Sequence, residues 1–290
     1  MSPREIASVA VVGAGTMGTQ IAFCAALHGY PVHLFSRSDQ RLHQGVAEAT
    51  RILAKRVEKG TLEPRDLEAA CARVRPTTDL EEAAGSVDLV IKAIAEERDA
   101  KHRVFSQLGG IAREDAILAS NSSTMPSSFF RECVPHPERL LNLHFFNPAL
   151  VMRLVEVVKG EHTAETTAQA CMEFARRIGK TPVMVRKATY GFVANRILFI
   201  AMQEAFDLVA QGVVAMEDCD LAVRNGLNWP MGPFELADLV GLDITEDILH
   251  EGHVQTGEAR WAPKPLLRRH VEAGELGRKT GRGFYDYPGA

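Results

Sequence analysis

No apolar run in this sequence approaches the roughly 20 residues that a membrane-spanning helix needs. A helical membrane protein is therefore not expected. Basic charge is not in excess either: 33 Lys and Arg stand against 37 Asp and Glu, for a net charge of −4. No positive field is offered to nucleic acid. The five cysteines (Cys24, Cys71, Cys133, Cys171, Cys219) are scattered and odd in number. They form neither a zinc-ligand spacing nor a disulfide framework, so the expectation is no metal and reduced thiols in a cytoplasmic setting. Internal repeats, low-complexity tracts and disordered linkers are absent from the sequence. The opening residues MSPREIASVAVVG run straight into the first predicted strand, so no signal peptide is expected.

What is present is a chain of 290 residues, 46% hydrophobic and 24% charged, the balance of a globular protein long enough for two domains. Its organising stretch is VAVVGAGTMG, Val9 to Gly18. An apolar run stops at Gly13-Ala14-Gly15, and after Gly18 come Ile21, Ala22, Ala25 and Ala26 at helical spacing. Strand, tight turn and helix are the context in which GxGxxG binds a dinucleotide. Gly13 permits the turn, Gly15 lets backbone approach a pyrophosphate, and Gly18 lets the helix lie close on the strand. Thr16 and Met17 open a helix whose free N–H groups and positive dipole end suit phosphate.

Further strands are predicted at Pro31 to Phe35, Val74 to Thr77, Val87 to Ala93, Ala116 to Ser120, Leu140 to Phe146, Met152 to Val158 and Pro182 to Val185. Helical segments alternate with them, the pattern of a parallel doubly wound sheet. From Tyr190 onward helices follow one another, with no strand signal until Gly283-Phe284-Tyr285. The fold class is thus α/β: a Rossmann-type doubly wound sheet in residues 1–187, then an all-α domain in 188–290.

Four places carry chemistry. The second strand ends in Ser36-Arg37, where an NAD enzyme would hold an acidic residue for the ribose 2′-OH. A hydroxyl and a guanidinium instead suit a 2′-phosphate and predict NADP(H) over NAD; the alternative is that Arg37 is a solvated loop residue or stacks on adenine. The cluster Asn121-Ser122-Ser123-Thr124 follows another strand end, and reads equally as a site for a carbonyl or hydroxyl ligand and as an ordinary turn. His144 and Glu156 are two ionisable groups inside apolar runs, separated by Asn147-Pro148. A strand, turn and return strand would pair them, fixing the imidazole tautomer and leaving the other nitrogen as general base; a lone core histidine is the bland alternative. Arg51, Lys55, Arg56 and Lys59 form a basic helix face, which is either solvated or phosphate-binding.

The sequence resembles the short-chain L-3-hydroxyacyl-CoA dehydrogenase family, including 3-hydroxybutyryl-CoA dehydrogenases. The motifs VVGAGTMG, SNSS, LHFFNP, LVEVV, GFVANR, PMGPFELADLVGLD and GRKTGRGFY carry the likeness over nearly the whole chain. The resemblance implies His144 as catalytic base and Glu156 as its orienting carboxylate. It implies Ser123 and Asn195 as contacts to the substrate oxygen at C3. Asn147 falls near the nicotinamide, and Asn121, Glu96 and Lys101 fall on cofactor-contacting positions. Arg56, with Lys55 beside it, falls near a lysine that contacts CoA. Two departures stand out: Ser36 replaces the usual Asp, and Glu97 replaces an Asn for a reason the sequence does not supply. The family is dimeric through its helical domain, so a homodimer acting on a small-molecule acyl-CoA is implied. Relatives with the same catalytic residues act on acyl-carrier-protein-bound groups or L-gulonate, and lens crystallins of this lineage are catalytically silent; these are the alternatives.

Overall fold

Each of the eight runs read as a strand of the doubly wound sheet becomes one in the computed structural model, which describes residues 5–94 and 97–288. They are β1 (Val9–Val12), β2 (Val32–Phe35), β3 (Val74–Thr77), β4 (Leu89–Lys92), β5 (Ile117–Ser120), β6 (Leu140–Phe145), β7 (Leu154–Val158) and β8 (Thr181–Val185). They lie in one sheet in the order β3-β2-β1-β4-β5-β6-β7-β8. All neighbours are parallel except β6 and β7. The chain winds outward from β1 to β3, then crosses back so that β4 pairs with the free side of β1. That reversal opens a crevice at the C-terminal ends of β1 and β4. This is a Rossmann-type, doubly wound sheet.

Both faces are covered, which is why its central strands are apolar without alternation. Val9 and Val11 join Ile21, Leu53 and Phe174, contributed by α1 (Thr16–Leu27), α2 (Asp39–Glu58) and, after α3 (Pro64–Arg73), α4 (Leu80–Ala84) and α5 (Arg98–Ile111), by α6 (Glu165–Arg177). Ala10 and Val12 join Phe105 of α5 and Phe130 on the opposite face. The chain divides between Thr189 and Tyr190 into two compact units.

The second unit contains α7 (Ala194–Ala210), α8 (Met216–Gly226), α9 (Pro233–Val240), α10 (Leu242–Thr256) and α11 (Pro265–Glu272) around Phe206, Phe234, Trp261 and Phe284. Two buried carboxylates organise it. Asp220 accepts from the Phe234 and Glu235 amides at 2.9 and 3.0 Å, closing the start of α9, and from the Tyr285 hydroxyl at 2.9 Å. Burial pushes its carboxyl above the usual range against the pull of these three donors. Asp238 accepts from the Phe284 and Tyr285 amides, each at 2.9 Å, and from the Tyr287 hydroxyl at 3.0 Å. A Cβ at Gly283 would overlap the Asp238 carboxylate.

The strand expected at Gly283-Phe284-Tyr285 is therefore not formed. Its amides face a carboxylate rather than a neighbouring strand, and only single bridges join Gly277 to Arg282 and Arg282 to Asp286. Among the described residues, no helix is long and apolar enough to cross a membrane.

Candidate active site

The glycine turn has the geometry its residues require. Gly13 has φ +120°, and a Cβ there would overlap the Ala93 carbonyl oxygen. A Cβ on Gly18 would overlap the carbonyl of Gly13, so α1 can approach β1 only with glycine at that place. Gly15 differs, because an added Cβ there would meet nothing within 4 Å. It is also the N-cap of α1 and supplies no capping side chain. The first-turn amides of Thr16, Met17 and Gly18 have no carbonyl partner within the helix, the arrangement that receives a pyrophosphate. A dinucleotide fits here by that cradle. A cavity of about 290 Å³ adjoins it, lined by Ala14, Gly15, Thr16, Thr19, Arg41 and Ile52.

At the end of β2, the Ser36 hydroxyl accepts from the Ser38 amide at 3.3 Å and keeps its own proton to donate. Arg37 is exposed and forms no ion pair among the described residues. Asp39, the nearest acid in sequence, faces His43 on its own helix at 3.2 Å. The basic face of α2 is narrower than its sequence suggests. Arg51 is bound in two contacts to Glu48, at 2.9 and 2.7 Å. Lys55 is exposed and Arg56 half-buried in the last turn.

The loop after β5 is tied down from below. Lys101, fully buried on α5, donates to the Ser122 hydroxyl at 3.0 Å. The ladder between β5 and β6 reaches Ser120 opposite Asn142, and the Asn121 side chain then takes the next bond, accepting from the Phe145 amide at 2.8 Å. Asn142 was not singled out in the sequence, yet it is fully buried and bonded to three backbone groups of this loop. Ser123 is half-buried in the middle of it.

The β6–β7 register places His144 directly opposite Glu156. Opposed side chains of an antiparallel pair share a face, and Nδ1 of His144 stands 2.8 Å from Oε2 of Glu156. The two side chains are only 6% and 1% exposed. A carboxylate accepts and cannot donate, so it holds the proton on Nδ1 and directs Nε2 to the other side of the ring. Phe146 lies against the imidazole at 4.5 Å.

The remaining predicted residues are dispersed. Asn147 is exposed, at a cis bond to Pro148. Asn195 is half-buried in the first turn of α7, in the second unit. Glu96 lies outside the described residues. Among the described residues no cluster of His, Cys, Asp and Glu could hold a metal. A larger opening of about 440 Å³, near Glu5, His28, Tyr30 and Arg177, contains none of the predicted site residues.

A glycine cradle at the switch point of a doubly wound sheet defines a dinucleotide-binding protein, and a buried imidazole–carboxylate pair lies on the same sheet. Comparison with known proteins narrows this. A family model described as 3-hydroxyacyl-CoA dehydrogenase, NAD binding domain, matches residues 8–189, and one described as 3-hydroxyacyl-CoA dehydrogenase, C-terminal domain, matches 191–287. The chain belongs to the 3-hydroxyacyl-CoA dehydrogenase family. It is 39% identical over 285 residues to a 3-hydroxybutyryl-CoA dehydrogenase of Bradyrhizobium diazoefficiens, covering 98% of this chain and 97% of that one. To the corresponding protein of Clostridioides difficile it is 37% identical, with 96% and 99% covered. The crystal structure of an (S)-3-hydroxybutyryl-CoA dehydrogenase from Ralstonia eutropha matches with a TM-score of 0.93 at 37% identity, covering 98% of this chain and 99% of that one.

Proposed function

We propose that the protein is an NAD(P)-dependent dehydrogenase interconverting short-chain (S)-3-hydroxyacyl-CoA and 3-ketoacyl-CoA thioesters. The observation that carries this reading is the His144–Glu156 pair at 2.8 Å. Support comes from the family and from the names of its relatives, which share the chain almost end to end. A nicotinamide, when bound, supplies the hydride chemistry.

The protein's own residues handle the proton and the charge. In oxidation, His144 takes the proton from the C3 hydroxyl, and Glu156 offsets the imidazolium that results. In reduction, the same imidazolium returns the proton to the C3 oxygen. Ser123 donates to that oxygen as it becomes negative, and Asn195 is the second donor by resemblance. Asn147 borders the nicotinamide position, while Asn121 and Lys101 secure the loop beside it. Glu96 is kept as a cofactor contact on resemblance alone.

The cofactor is NADP(H), with NAD(H) the weaker partner. Ser36 and Arg37 offer a hydroxyl and an exposed guanidinium where a 2′-phosphate would lie, and Asp39 is turned toward His43. Lys55 and Arg56 meet the phosphates of CoA. The second unit exposes the apolar side chains of Val213, Leu221, Leu227 and Val254, which suits a homodimer. The protein's five free thiols fit a reducing, cytoplasmic setting.

The test is the initial rate of acetoacetyl-CoA reduction with NADPH and NADH in parallel. Turnover with NADPH preferred is expected. NADH preferred would overturn the cofactor assignment and keep the reaction. Binding of either cofactor without turnover would overturn the thioester substrate, and acyl-carrier-protein conjugates would be tried next.

A further inference from the structure

A reaction that depends on one hydroxyl and one imidazole requires their separation to be held constant. Ser123 lies in the loop after β5, and His144 lies on β6. Hydrogen bonding within the sheet joins these strands only as far as Ser120 and Asn142. Beyond that point the loop leaves the sheet, and something else must hold it.

Asn142 supplies the connection. It sits two residues before His144, so both side chains leave the same face of β6. Its Nδ2 donates to the Ser122 carbonyl at 3.2 Å and to the Met125 carbonyl at 3.0 Å. Its Oδ1 accepts from the Ser127 amide at 2.6 Å. The two carbonyls bracket Ser123. Both donors of the carboxamide and one of its acceptor positions are thus engaged, and the pattern fixes which end is oxygen. No other side chain of this length presents two donors and an acceptor from one planar group. Asp would turn an acceptor toward two carbonyl oxygens, and an apolar residue would remove a hydrogen-bond partner from two carbonyls and an amide at once.

The loop is braced on its other sides by the same strand and by α5. Asn121 accepts from Phe145, next to His144 in the chain. Ser122 receives Lys101 on its hydroxyl and donates its amide to the Ser120 hydroxyl at 3.3 Å. These bonds hold residues 121 and 122. The Met125 amide donates to the Ser122 hydroxyl at 3.0 Å, and Asn142 adds bonds past Ser123 to both the Met125 carbonyl and the Ser127 amide.

We infer that Asn142 is a positioning residue: it fixes Ser123 relative to His144 and acts on the reaction through Ser123. This rests on the dehydrogenase reading above.

The experiment is a double-mutant cycle in acetoacetyl-CoA reduction, combined with amide hydrogen exchange over residues 123–127. Ser123→Ala should lower kcat by about 100-fold, the usual cost of losing one oxyanion donor. Asn142→Ala should lower kcat by about 10-fold or more, with KM for the cofactor within about twofold of the parent. In the Ser123→Ala background, Asn142→Ala should cost less than about threefold further, because the two changes remove one effect. Full additivity, or a cofactor KM that rises as much as kcat falls, would overturn the inference.

Exchange requires no substrate. Faster exchange at the Ser127 amide, confined to this loop, is expected in Asn142→Ala. Unchanged exchange would overturn the inference whatever the kinetics. If Asn142→Ala does not fold, Asn142→Ser keeps a polar group in a smaller volume and answers the same two questions. A parent protein inactive on 3-ketoacyl thioesters would overturn the dehydrogenase reading and this role for Asn142 in it, while the exchange result would still show whether the brace exists.

Discussion

Replacing Glu156 with Gln removes one negative charge and leaves the shape of the site intact. The carboxylate lies 2.8 Å from Nδ1 of His144, with the two side chains 1% and 6% exposed. In oxidation the imidazole becomes charged as it takes the hydroxyl proton, so attraction to Glu156 is gained on the way to the transition state. Charge centres of a ring and a carboxylate in such contact lie roughly 4–5 Å apart, and at an effective dielectric near 20 two unit charges attract by about 3–4 kcal/mol. At about 1.4 kcal/mol per factor of ten, Glu156→Gln should lower kcat by roughly 10²–10³-fold. The Gln carbonyl can still accept from Nδ1, so the tautomer survives and only the charge is lost. Removing a buried charge does not destabilise the fold on its own account, since a desolvated carboxylate is costly to bury. The assay is kcat for oxidation of (S)-3-hydroxybutyryl-CoA at saturating cofactor, with cofactor affinity measured by fluorescence titration. Affinity should stay within about twofold. A kcat within about threefold of the parent would refute the role of Glu156.

Other consequences are open to direct measurement. Ser36→Asp should cut kcat/KM with NADPH by about 10–100-fold, the worth of one charge-assisted contact plus new repulsion, and should leave NADH turnover unharmed. Equal losses with both cofactors would show that Ser36 does not discriminate. Asp220→Ala strands the Phe234 and Glu235 amides and the Tyr285 hydroxyl, so it should cost about 3 kcal/mol, or roughly 5–10 °C in melting temperature. A shift under 1 °C would remove Asp220 from the list of residues that hold the second unit together.

His162 gives the pH prediction. Burial holds its ring below the ordinary value of 6.5, with Arg131 adding to the effect and a hydrogen bond to Leu140 opposing it. A folded-state value below the unfolded one means stability present above about pH 6.5 and lost as pH falls through the folded value. His162→Gln should therefore flatten the acid limb of the melting-temperature profile, and parallel profiles would contradict this.

Much of the fold was legible because its signals are local. β1 could be read from an apolar run ending at Gly13, and α1 from the helical spacing of Ile21, Ala22, Ala25 and Ala26 after Gly18. His144 and Glu156 were legible as a pair because both interrupt apolar runs and twelve residues suffice for a return strand. What was missed depends on partners far away in sequence or on a weak pattern. The short helix Leu80–Ala84 is marked only by Asp79, which caps it by accepting from the amides of Glu81 and Glu82. Asp238 looked like one more helix residue, yet its partners lie 46 to 49 positions further on. That distance is also why Phe284 and Tyr285, apolar and aromatic, read as a strand. Asn142 was hidden inside LLNLHFF, where one polar residue in a buried strand does not announce which loop it holds. Arg51 was counted with Lys55 and Arg56 although Glu48, three residues before it, is on the same helix face.

The central claim is that His144 moves the proton on a 3-hydroxyacyl thioester. It is tested most directly by following reduced-nicotinamide absorbance during acetoacetyl-CoA reduction by the parent protein and by His144→Gln, with cofactor binding titrated in both. The account predicts turnover by the parent, loss of at least about 10³-fold in the variant, as for removal of a central acid–base residue, and cofactor affinity unchanged within about twofold. A variant that turns over at a rate near that of the parent would contradict it.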